Sequence, residues 1–120
     1  MKYMMFVVVD PDAAAEAEPS KDDLTIEQWL AEVEGRGQRV TGDALRSVSE
    51  AVTVRVKHGQ VLVTDGPFAE TREWIAGFDI LDCENIDEAI AIAAQHPQAN
   101  GGKLELRPFW TEEDWTERRS

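Results

Sequence analysis

The residues best suited to chemistry gather between positions 65 and 73, where Asp65, Glu70, Thr71, Arg72 and Glu73 fall within one short segment. Asp65 stands directly before Gly66-Pro67. A carboxylate in that place either holds a tight turn through nearby backbone N–H groups or faces a cleft as a general base. Gly66 and Pro67 serve the backbone, one through its permissive φ and the other through rigidity. Phe68 is an anchor into the core or a pocket wall. Glu70 and Glu73 are three apart and would share one side of a helical turn. With Asp65 they would form an acid cluster or a site for a hard cation. The plainer account is a solvated acidic loop, with Arg72 as its local counter-charge.

Elsewhere the chemistry is sparse. His58 lies in an expected hairpin turn and is read as exposed and idle. His96 ends an expected helix just before Pro97, where a cation complements the helix dipole. Arg107 shares the polar parity of the last strand with Glu105, and either pairs with a carboxylate or holds an anionic ligand group. Tyr3 either offers its hydroxyl to the same cleft or belongs to the core. Cys83 has no second cysteine and no basic neighbour, so it is read as inert. The sequence has no P-loop, dinucleotide fingerprint, serine elbow or Cys/His zinc spacing, so neither a cofactor nor a metal is expected.

The elements that must position these residues follow from periodicity. Residues 3–9 are an unbroken apolar run, read as a strand covered on both faces and ended by Asp10-Pro11-Asp12. Residues 12–21 read as a loop. A helix is expected from about Asp22 to Glu34, capped by Asp22 or Asp23 and stopped by Gly35 and Gly37. From Val40 to Glu50 the pattern is weak, and Thr41-Gly42-Asp43 looks like a turn. Val52, Val54 and Val56 alternate with Thr53, Arg55 and Lys57, then His58-Gly59 and a returning run to Thr64 complete a hairpin. Further elements are a strand over 73–82, a helix from Asn85 to about Gln95, and a strand over 103–110. Residues 1–110 form the domain and 111–120 a charged tail, either loose or a short helix.

This order predicts an α+β fold in which two helices cover one face of an antiparallel sheet. The apolar residues left on the other face call for a second copy, so a homodimer is expected.

Composition bounds the partners. The 120 residues carry 24 acidic and 12 basic side chains, a formal charge of −12. That charge argues against nucleic acid and against anionic membrane surfaces. No apolar run approaches the ~18 residues of a spanning helix. With one cysteine and no signal-peptide pattern at the start, a cytoplasmic location is expected.

The stretch Val63-Thr64-Asp65-Gly66-Pro67-Phe68-Ala69-Glu70-Thr71-Arg72-Glu73 resembles the signature of the YCII-related family, in its DGPF-domain branch. Met1-Lys2-Tyr3-Met4, Val8-Val9-Asp10, Gly77-Phe78, Asp87-Glu88-Ala89 and Glu105-Leu106-Arg107-Pro108 match the same pattern in order. The resemblance implies a bacterial protein with a ferredoxin-like fold that dimerises into an α/β barrel. It also implies neighbouring sigma factors in some genomes, and lyase-like relatives that use a His–Asp pair. Two functions follow as expectations. One is a cofactor-independent lyase or isomerase acting on a small organic acid, with Asp65 as base, His96 as its partner and Arg107 holding the carboxylate. In that reading Tyr3, Phe68, Glu70 and Glu73 line the ligand site. The other is a non-catalytic binding or accessory protein of a sigma-factor stress regulon.

Overall fold

The computed structural model describes residues 1–18, 23–67 and 72–119. Strand β1 (Lys2–Val9) lies inside a four-stranded antiparallel sheet, between β5 (Trp74–Asp82) and β6 (Gly102–Pro108). Strand β2 (Arg39–Ala44) pairs with the far side of β5, so the order is β2-β5-β1-β6. With helices α2 (Ile26–Gly35) and α3 (Ile86–Ala94) as its crossovers, this order is compatible with a ferredoxin-like α+β fold.

One face of the sheet carries the core. Tyr3, Met5 and Leu81 from the strands meet Trp29 and Val33 of α2 and Ala89, Ile92 and Ala93 of α3. Both helices are set by their first residues. Thr25 accepts from the Gln28 N–H while the Gln28 side chain accepts from the Thr25 N–H, a reciprocal cap, and Asn85 accepts from the Glu88 N–H. The expected cap at Asp23 therefore gives way to Thr25, and Asp22 lies outside the described residues.

Two further expectations are corrected. The stretch around Thr41-Gly42-Asp43 is not a turn but strand β2. Gly42 is there because β2 runs so close to β5 that a side chain would collide with the Asp79 carboxylate and the Phe78 carbonyl. The segment after β1 is not all loop: Pro11–Glu16 forms helix α1, with Asp10 accepting from the N–H groups of Asp12 and Ala13. The charged tail takes the second of its two expected forms, the short helix α4 (Glu112–Arg119), whose Trp115 meets Trp110 edge to face at 4.6 Å.

The hairpin holds as expected but stands apart. Strands β3 (Val52–Lys57) and β4 (Gln60–Asp65) form a separate two-stranded sheet, inserted between β2 and β5. His58 and Gly59 both take positive φ, 51° and 76°, the two-residue turn whose twist matches its strands.

Candidate functional site

Strand register decides what the second face of the sheet presents. Tyr3 and Met5 point into the core, so Met4, Phe6 and Val8 point away from it. Their cross-strand partners are Ile80 and Phe78 on β5, and Arg107, Glu105 and Lys103 on β6. An irregularity at Val7/Val8 brings Ile75 opposite Val8. The open face is thus an apolar strip of two strands with a charged edge strand beside it.

Phe6 and Val8 floor a cleft of about 1320 Å3 that Trp74 and Ile75 also line, bounded across from them by residues 45–51 and by Gly66 and Pro67. Its charged end is built from three distant parts of the chain. Lys103 Nζ reaches Glu73 Oε1 at 2.5 Å and stands 3.8 Å from Asp10 Oδ2, while Arg72 pairs with Asp12 at 2.8 Å. The Ala13 N–H holds the Asp10 carboxyl below its ordinary range. The hydrogen bond to Glu73 likewise raises the Lys103 ammonium above its own. Both groups therefore stay charged at neutral pH. Sequence reading missed Asp10 and Lys103; the one available signal was Asp10-Pro11, a cap followed by proline at the first helical position.

The expected site residues are dispersed. Glu73 belongs to this cleft. Arg107 lies on the same face, four residues along β6 from Lys103 (roughly 13 Å), and has no ion pair among the described residues. Tyr3 is 3% exposed on the helix side, its hydroxyl directed to Met1 Sδ, so it is a core tyrosine. Asp65 ends β4, exposed, opposite Val52, with no side-chain hydrogen bond among the described residues. Gly66, directly after it, is tied back to the start of β3 without it: Gly66 N–H donates to Ala51 O, and Thr53 Oγ1 donates to Gly66 O. Phe68, Glu70 and Thr71 lie outside the described residues. Among the described residues no group of three or more His, Cys, Asp and Glu is placed to hold a metal ion.

His96 is elsewhere. It is 8% exposed and meets the Trp29 ring edge to face at 4.7 Å. Its Nδ1 accepts from the Gln98 N–H at 3.0 Å, which leaves the ring proton on Nε2. It borders a separate pocket of about 240 Å3 together with Asp23, Glu32 and Asn100. Burial, with no carboxylate contributing, lowers its pKa from 6.5 to about 4. It is accordingly a neutral ring at pH 7 rather than a cation at the end of α3.

This ring carries a pH prediction. Between pH 6.5 and about 4 the unfolded chain takes up a proton at His96 that the folded chain refuses, so stability falls as pH falls through that window. The loss is up to about 3 kcal/mol, from about 1.36 kcal/mol per unit of pKa. Urea melts at pH 7.5 and 4.5 measure it, and His96→Asn should flatten the difference. In an NMR titration, Asp65→Asn should leave the His96 curve where it is; a downward shift would mean that the two residues meet.

The chain matches the model of the YCII-related domain over residues 1–113. It is also 45% identical over 61 residues to an uncharacterised protein of Rhizobium meliloti (strain 1021), an alignment covering 49% of each chain. The match thus spans about half the length of that relative.

Proposed function

The chain belongs to the YCII-related domain family, and from that premise we propose a homodimeric, non-catalytic protein that binds a small organic acid on the open face of its sheet. The observation that carries this reading is Arg107, a guanidinium without an ion pair among the described residues, opposite Met4 on a face otherwise floored by Phe6, Phe78 and Ile80. A carboxylate takes a guanidinium in two parallel hydrogen bonds, and an apolar body covers the adjacent strip. The dimer supplies the cover for that strip, which neither α2 nor α3 reaches, since both pack on the other side.

The catalytic reading, a lyase or isomerase using Asp65 and His96, has less support. The two residues border different regions of the molecule, and no carboxylate acts on the His96 ring. In the cleft, Asp10 stays ionised and Lys103 protonated, so neither is poised to exchange a proton near pH 7. A binding protein suits the accessory role beside sigma factors that the DGPF-branch resemblance implies.

Benzoate is a suitable probe, with a carboxylate and a flat apolar body. Its titration should give a saturable shift at the Arg107 side-chain signal, and Arg107→Gln should weaken binding by at least about tenfold, the scale of one lost charge-assisted pair. Benzoate affinity unchanged in Arg107→Gln, or no binding by the wild type, would sink the reading.

A further inference from the structure

The β3–β4 hairpin has one largely apolar face, and among the described residues nothing covers it. The register pairs Val54 with Val63 and Val56 with Val61, so Val52, Val54, Val56, Val61 and Val63 share one side of the ribbon. They are 57–69% exposed. Asp65, opposite Val52, closes the valine row at its open end, and the other side carries Arg55 and Lys57 among Thr53, Gln60, Leu62 and Thr64. A lone two-stranded ribbon is marginal in water, and five exposed valines side by side are a surface that folded chains cover.

Two features identify the cover as a second copy of this chain. The first is a matching uncovered surface: Leu45, Trp74 and Ile75, at the rim of the cleft, are 52%, 37% and 44% exposed. Two such surfaces on one chain satisfy each other twice over in a two-fold pair. The second is charge. Residues 52–65 hold Arg55 and Lys57 against Asp65, a balance of +1, so the rest of a chain at −12 stands at −13. A basic ribbon on an acidic body is drawn to another such body.

We infer that each β3–β4 ribbon crosses to the partner copy and lays its valine face on the Leu45, Trp74 and Ile75 rim of the partner's cleft, so that two chains wall each ligand site. This rests on the homodimer proposed above and adds to it the element that clamps the pair. Facing sheets bury Met4, Phe6, Phe78 and Ile80, and the ribbons close the sides.

Analytical ultracentrifugation of the wild type, Val54→Asp/Val63→Asp and Arg55→Glu/Lys57→Glu tests the inference, with circular dichroism to confirm folding. The wild type should be a dimer at micromolar concentration. Val54→Asp/Val63→Asp, whose changes fall on surface exposed in the single chain, should raise the dimer Kd at least about 100-fold, as loss of interface anchors does. Arg55→Glu/Lys57→Glu should raise it about tenfold and reverse its salt dependence. A monomeric wild type overturns the homodimer and the ribbon together. A dimeric wild type whose Kd the aspartates leave unchanged overturns the ribbon alone. Should the aspartate variant misfold, an unchanged Kd in Arg55→Glu/Lys57→Glu overturns it. Monomeric Val54→Asp/Val63→Asp should bind benzoate at least about tenfold more weakly than the wild-type dimer, and equal affinity would overturn the shared wall.

Discussion

Trp29→Ala should cost about 3–5 kcal/mol, enough to consume much of the ~5–15 kcal/mol by which a domain of this size stays folded. Trp29 is 1% exposed and is among the largest fully buried side chains of the core. It joins three elements: its own helix α2, the Ile92 carbonyl of α3, to which its indole N–H donates at 3.0 Å, and the His96 ring beyond α3. Truncation leaves a cavity, an unpaired carbonyl and a newly hydrated histidine at one stroke. Trp29→Phe keeps most of the volume and loses the hydrogen bond, so it should cost about 1–2 kcal/mol. Urea unfolding gives both values. A second readout separates local hydration from general weakening: in the folded fraction of Trp29→Ala the His96 pKa should rise from about 4 toward 6.5. A loss below 1.5 kcal/mol would mean that the helices close over the gap.

Arg39→Met should cost a comparable ~3–5 kcal/mol at neutral pH, because it strands a buried carboxylate. Arg39 Nε donates to Asp79 Oδ1 at 2.8 Å and Nη1 pairs with Glu34 at 2.8 Å, and Asp79 is only 6% exposed. Burial already pushes the Asp79 carboxyl up, with Arg39 opposing it. Without the guanidinium the folded-state pKa climbs further above the unfolded 3.8. The folded variant then holds a proton that the unfolded chain has released, so its deficit is greatest above the folded-state pKa and shrinks as pH falls toward 3.8. His96 works in the opposite sense, and taking the difference between variant and wild type at each pH removes it. Arg39→Met/Asp79→Leu should recover most of the loss, since an apolar pair of similar volume replaces the ions. A deficit independent of pH would show that Asp79 is better hydrated than its position implies.

Both sites mark the limit of what sequence discloses here. Helices α2 and α3 are legible because Leu24, Trp29, Leu30 and Val33, and Ile86, Ala89, Ile90 and Ala93, recur at helical spacing. The ribbon is legible because a two-residue periodicity and a left-handed turn are local facts. Strand β2 is not, since Gly42 answers to the closeness of β5, a contact made far along the chain, and in isolation Thr41-Gly42-Asp43 has the composition of a turn. His96 looked like a charged helix end because Pro97 follows it, and only Trp29 makes it a buried neutral ring. The cluster of Asp10, Glu73 and Lys103 needs three strand ends to converge, which no spacing announces. Asp65 stood out by its motif, yet Ala51 and Thr53 hold the Gly66 that follows it and its own side chain faces water.

Strand β6 is an edge: among the described residues it pairs with β1 and with no other strand, so one row of its amides and carbonyls can template a further strand. The residues it turns outward are Lys103, Glu105 and Arg107, alternating in sign along the open face. In the in-register stacking of a fibril each of these would sit directly on its own copy, ammonium on ammonium and carboxylate on carboxylate, every 4.7–4.8 Å or so. The charges along this edge would thereby also oppose such stacking, and neutralising all three together would leave an unguarded edge beside the apolar strip.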